Sequence, residues 1–154
     1  MIEEIIAFAK AEVGYTEGKN NDNKFAKIAG HANNLPWCMT FVRAMFVKAN
    51  AAGYIMNTAS CQALEAWATK GNLIVPINET KRGDVLLFDF TKAKKAQHVG
   101  IATSNFDPEN KSIHTIEGNT AGENVKGSQV NGDGVYERVR ADKFIRAVVR
   151  PRWE

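Results

Sequence analysis

The stretch Leu35-Pro36-Trp37-Cys38-Met39-Thr40-Phe41-Val42 decides how the rest of the chain is read. Pro36 suits the first turn of a helix, because its ring presets φ and the N–H it lacks would have no partner there. From Cys38 onward, Phe41, Val42, Met45, Phe46 and Ala49 recur at the three-and-four spacing of one helical face. The spacing predicts a helix from Cys38 to about Asn50, with the cysteine on its first turn and its far end held in a core. A helix N-terminus carries partial positive charge and free N–H groups, which favour thiolate over thiol. That is the setting a nucleophilic cysteine needs. A buried cysteine is also an ordinary small hydrophobe, so the choice rests on what lies downstream.

Outward on the N-terminal side, Ile2, Ile5, Ile6, Ala9 and Val13 mark an amphipathic helix ended by Gly14. The polar loop Thr16-Glu17-Gly18-Lys19-Asn20-Asn21-Asp22-Asn23 follows, then a short helical piece from Lys24 to Ala29. Glu17, Asn21 and Asp22 offer oxygen ligands for a structural Ca²⁺. The loop lacks the regular acidic spacing of a helix–loop–helix calcium site, and Asn and Asp equally serve a plain capping turn.

On the C-terminal side, Ser60 reads as the N-cap of a helix carrying Cys61, Leu64, Trp67 and Ala68, closed by Gly71. Cys61 is placed mid-helix on the apolar side, with no helix-end charge to lower its pKa, as a structural residue. After Pro76 the period becomes extended, with strands expected at Val85–Phe90, His98–Ser104, Ser112–Glu117, Val135–Arg140 and Phe144–Val149. A Gly/Asn-rich loop spans Gly118 to Gly134. Helices first and an antiparallel meander of about five strands afterwards predict an α+β fold in one domain, residues 1–154.

Composition narrows the function classes. A hydrophobic share of 44% and a charged share of 24% over 154 residues suit a soluble domain with its own core. No run approaches the roughly eighteen apolar residues of a membrane span, so no membrane insertion is expected. Glu3 and Glu4 stand where an export signal would be basic, which predicts no signal peptide. The two cysteines are too few for a disulfide framework, and a Cys38–Cys61 bridge is disfavoured in a reducing cytosol. Net charge is +3, all of it between Tyr136 and Glu154. That end could meet an anionic polymer, but basic edge strands solvated against aggregation account for it better, so no nucleic-acid partner is expected.

Three elements then assemble. A strand starting at His98 and a neighbouring antiparallel strand ending at Glu117 bring both side chains to one sheet edge. The Cys38 helix, packed at that edge, completes a thiolate, an imidazole base and a polar orienter, the logic of a cysteine hydrolase. His31, in a loop, and His114, on the opposite face from Glu117, are expected at the surface or in packing roles.

Pro36-Trp37-Cys38-Met39-x-Phe41-Val42, Arg82-Gly83-Asp84-Val85-Leu86-x-Phe88, His98-Val99-Gly100-Ile101-Ala102 and Thr115-Ile116-Glu117-Gly118-Asn119, in that order, resemble the CHAP family. These are cysteine- and histidine-dependent amidohydrolases/peptidases with a papain-like fold, akin to NlpC/P60 proteins. The resemblance runs from about Gly14 to Val149. It implies Cys38 as nucleophile, His98 as base, Glu117 as the group that orients His98, and Asn119 as support for the site or the oxyanion. Trp37 is expected to line the cleft or to pack, and Gly100 to leave room for substrate or for the helix.

The activity so implied is peptidoglycan hydrolysis by a phage-type endolysin, as N-acetylmuramoyl-L-alanine amidase or as endopeptidase. It requires no cofactor for the chemistry. The expected partners are bacterial peptidoglycan and a holin that opens the way to the wall. The protein is expected to be monomeric, to reside in the host cytoplasm before lysis, and to carry no separate wall-binding module. The competing readings are a non-catalytic wall-binding or structural module of a phage particle, and a cysteine amidase with a non-wall substrate.

Overall fold

The computed structural model describes residues 1–121 and 131–153. Four helices precede most of the sheet: α1 (Ile2–Ala11), α2 (Phe25–Ala29), α3 (Cys38–Lys48) and α4 (Cys61–Lys70). The strands are β1 (Ile74–Val75), β2 (Val85–Phe88), β3 (His98–Ala102), β4 (Ser112–Thr120), β5 (Gly134–Ala141) and β6 (Ile145–Val149). They form one antiparallel sheet in the order β1-β6-β2-β3-β4-β5. The α+β class is as expected, and the sheet has six strands rather than five. The sixth is the two-residue β1, too short to show a period of its own, which pairs with β6 at Ile74↔Val149 and Val75↔Val148. The order is not a simple meander either, because β6 returns to lie between β1 and β2. Residues 122–130 of the Gly/Asn-rich loop lie outside the described residues.

Alternation along the strands divides the interior. Val85, Leu87, Val99, Ile101 and Ile116 face the helices, in one cluster with Phe41, Val42, Met45 and Phe46 of α3. Leu86, Phe88, Ala102, Ile113 and Val148 face the other way, into a second cluster closed by Phe90, Phe106 and Phe144. Burying each large apolar side chain of α3 contributes about 1.5–3 kcal/mol. The helix also sits close against β4. A Cβ on Gly118 would stand 2.6 Å from Phe41 Cβ and 2.9 Å from the Trp37 ring, so only glycine permits that approach.

The two ends that matter for chemistry are both helix starts. Pro36 lies one residue before the N-cap, Trp37, so Cys38 is the first helical residue of α3. Ser60 caps α4 by accepting a hydrogen bond from the Ala63 N–H at 3.1 Å. Cys61 is therefore the first residue of α4, not an interior one. The expectation of an electrostatically neutral position for Cys61 is corrected: it too faces the positive end of a helix.

Candidate active site

The ladder between β3 and β4 pairs Ile101 with Ile116 and Ala102 with Thr115, and does not include His98 or Glu117. At that end of the sheet the N-terminus of α3 comes in from the helical side. His98, Thr115 and Glu117 share the opposite strand parity, and there the pieces meet. His98 Nε2 lies 2.9 Å from Glu117 Oε1, with both side chains fully buried. Nδ1 has no ordinary hydrogen-bond partner among the described residues. It is the nitrogen left for Cys38, whose interaction with His98 is felt by both groups. The imidazole ring stacks at 5.9 Å on Phe88 and lies beside Phe90. That packing fixes the ring plane while the carboxylate fixes its tilt.

Glu117 is held from three further directions. Thr115 Oγ1 donates to Oε2 at 2.6 Å, and Arg140 donates through Nε to Oε2 at 2.8 Å and through Nη2 to Oε1. Arg140 is only 5% exposed, and its guanidinium lies over the rings of Phe90 and Phe88. Its place in the basic C-terminal end predicts a solvated side chain. Instead it neutralises the buried carboxylate. The rest of that end is engaged too: Arg150 forks onto Asp84 with two contacts of 2.9 Å, and Arg146 meets Glu65 at 2.8 Å.

The electrostatics follow from these contacts. Burial opposes charge on Glu117, but Arg140 and His98 outweigh it and lower the carboxyl to about 2. Burial likewise opposes the imidazolium, yet the contacts with Cys38 and Glu117 raise His98 to about 9. Cys38 is held well below an ordinary thiol, first by a hydrogen bond from Cys61 and then, against its burial, by His98. These contacts favour a thiolate–imidazolium pair backed by an ionised Glu117. Glu117 stabilises the fold above its unfolded value of 4.5, and that contribution is lost as pH falls toward 2. The share from charged His98 is fully present below 6.5 and is lost as pH rises through about 9.

The other expected residues fall as follows. Asn119 is fully buried two residues beyond Glu117, in a left-handed conformation (φ 54°), where the β4–β5 register shifts. Neither end of its amide has a partner among the described residues. Trp37 is 1% exposed, stacked on Phe25 at 5.4 Å, and its Nε1 donates to Glu17 at 2.8 Å. Its observed role is packing and tethering behind the nucleophile, not lining an open cleft. Gly100 leaves room for neither substrate nor helix. A Cβ there would stand 2.6 Å from Glu117 Cγ, so the missing side chain accommodates the orienting carboxylate. Gly100→Ala is expected to displace Glu117 and lower kcat by roughly 10- to 100-fold with KM little changed. Steady-state kinetics on purified wall checks this. His31 is half-buried between Thr40 and Asn57, with contacts of 2.8 Å to each, and His114 is exposed.

The residues offered for calcium serve the protein's own hydrogen bonds. Glu17 accepts from Trp37, and Asp22 Oδ1 accepts from Asn33 at 2.6 Å. The Asn21 side-chain amide lies 3.3 Å from both Glu17 carboxylate oxygens and 3.2 Å from Asn131 Oδ1. No group of three or more His, Cys, Asp or Glu side chains that could hold a metal occurs among the described residues. Glu17, Asn21 and Asp22 remain the residues that would hold a calcium ion, and no step is routed through one.

The CHAP domain model matches residues 30–119, more than half of the chain and a span that runs from before Cys38 to Asn119. The chain belongs to the CHAP domain family. Among curated proteins none matches significantly. Two solved structures resemble this CHAP domain. One is the wild-type endolysin LysIME-EF1, with a TM-score of 0.55 and 15% identity over 99% of this chain and 65% of the other. The second is the Resuscitation Promoting Factor Interacting protein RipA, mutated at a histidine, with a TM-score of 0.57 and 16% identity over 97% of this chain and 61% of the other. The chain thus spans less than two thirds of either neighbour. What they share with this CHAP domain is the papain-like α+β fold. No helix among the described residues is long and apolar enough to cross a membrane.

Proposed function

We propose that this CHAP domain is a peptidoglycan hydrolase that cleaves a wall amide by acyl transfer through Cys38. The observation that carries the reading is Cys38 at the first position of α3, facing an imidazole held by Glu117 and Arg140. The Cys38 thiolate attacks the amide carbonyl, and the oxyanion meets the Cys38 N–H, which has no intrahelical acceptor. Asn119, buried two residues beyond Glu117 with an amide unpartnered among the described residues, is the candidate second donor. His98 gives its proton to the leaving amine, leaving a thioester on Cys38. It then takes a proton from water as hydroxide attacks that thioester. One neighbour in fold is an endolysin by name. This favours a phage lysin that reaches the wall through a holin, cutting either the N-acetylmuramoyl–L-alanine amide or a stem or cross-bridge peptide bond.

Mass spectrometry of fragments released from purified peptidoglycan tests this directly. Wild type is expected to release sugar-free stems with a new L-alanine N-terminus if it is an amidase, or split stems if it is an endopeptidase. Cys38→Ala is expected to release neither, and wild type is assayed with and without a chelator. Release that persists in Cys38→Ala would sink the mechanism, and loss of release on chelation would assign calcium to the Glu17 loop.

A further inference from the structure

The chain has two cysteines, 23 positions apart, and the fold brings their sulfur atoms to 3.7 Å. Both are free, both are buried, and each opens a helix. A disulfide requires an S–S distance near 2.05 Å, so closure asks for a further approach of about 1.7 Å. Packing alone does not call for sulfur at residue 61. Ser60 already caps α4, and a small apolar side chain would fill the same space.

We propose that Cys38 and Cys61 are a reversible redox pair: a hydroperoxide oxidises the Cys38 thiolate, and Cys61 captures it as a disulfide that silences the nucleophile until a thiol reductant reopens it. In the first step the thiolate attacks the peroxide oxygen. An S–O bond forms, the O–O bond breaks, and the alkoxide or hydroxide leaves as alcohol or water, so that Cys38 becomes a sulfenic acid. In the second, Cys61 sulfur attacks Cys38 sulfur. The S–S bond forms, the S–O bond breaks, and the departing hydroxide leaves as water with the Cys61 proton. In sum, two thiols and one hydroperoxide give one disulfide, one alcohol (water for hydrogen peroxide) and one water. Reduction reverses this by exchange with a dithiol, which is itself oxidised to a cyclic disulfide.

The two helix ends set the order of events. While Cys38 is a thiolate, the Cys61 S–H donates to it, and that bond together with burial keeps Cys61 protonated. Cys38 is therefore oxidised first. A sulfenic acid no longer carries the negative charge that held the Cys61 proton, and the N-terminus of α4 then favours a Cys61 thiolate. Oxidation of one sulfur activates the other.

The bridge does not depend on the proposed wall hydrolysis, although its effect on activity does, and the test separates the two. The native protein is treated with a slight excess of hydrogen peroxide, then digested without reduction. A peptide linking Cys38 to Cys61 is expected, with an intact mass lower by two hydrogens and both thiols recovered in dithiothreitol. In Cys61→Ser and Cys61→Ala, Cys38 is expected to proceed to a sulfinic acid that dithiothreitol does not reverse. Sulfinic acid without a linked peptide in wild type, or two thiols that stay free, overturns the pair even if neither variant folds. Wall hydrolysis is expected to fall at least 10-fold on oxidation of wild type and to return on reduction. A linked peptide with hydrolysis unchanged would leave the bridge standing and overturn both the silencing and Cys38 as nucleophile.

Discussion

His98→Ala is expected to lower wall hydrolysis on the order of 10⁴-fold, while the fold remains intact. The imidazole does two things at once. In the proposed mechanism it donates the proton to the leaving amine, and its positive charge helps keep Cys38 ionised. Alkylation of Cys38 by iodoacetamide reports the second role without any substrate. Wild type is expected to react well below the pH at which an ordinary cysteine does, with an upper limb near pH 9, where His98 loses its proton. In His98→Ala the alkylation midpoint is expected to climb toward an ordinary cysteine, about 8.5. Because the thiolate and the imidazolium interact strongly, these limbs belong to the pair rather than to either residue alone. If His114→Ala, rather than His98→Ala, removed activity in a folded protein, the assignment of the base would be wrong.

Arg140→Met should cost stability more than any surface substitution. It leaves Glu117 buried with its principal counter-charge gone, and breaking a buried pair in this way costs about 3–5 kcal/mol. In a domain of this size that corresponds to a fall in Tm of roughly 6–20 °C. Adding Glu117→Gln to Arg140→Met removes the stranded charge and is expected to restore a large part of the loss. An additive double variant, with no recovery, would show that Arg140 acts by packing on Phe88 and Phe90 instead. The wild-type melting temperature is also expected to fall as pH drops from 4.5 toward 2, as Glu117 takes up its proton. In Arg140→Met that acid-side dependence should shrink, because the folded carboxyl moves back toward its unfolded value.

Much of the architecture was legible because the local signals agree with one another. The α3 face, the Ser60 cap and the change of period after Pro76 each named an element that the fold contains. The meeting of Cys38, His98 and Glu117 was legible from strand order and helix polarity. Arg140 was not, and the reason is specific. In β5 the apolar residue Val139 is 48% exposed while Arg140 is buried, so hydrophobic alternation points the wrong way along that strand. Only pairing with β4, which puts Arg140 on the same face as Thr115 and Glu117, reveals its place. Cys61 was misplaced by a smaller margin, the distance between a helix start and its interior, yet that margin sets its electrostatics. Gly100 and Trp37 were singled out correctly as unusual. Their neighbours, Glu117 and Glu17, come from 17 and 20 residues away, and no local pattern specifies such contacts.

The relay draws one side chain from each of α3, β3, β4 and β5, so its members span the chain from Cys38 to Arg140. Such a catalyst has no partial form. During refolding, helical signal can return as local segments close, whereas pairing distant strands requires the slower closure of long loops. Hydrolytic activity should therefore recover late, in step with the joining of β5 to β4, and a chain released half-folded would be inert toward everything around it.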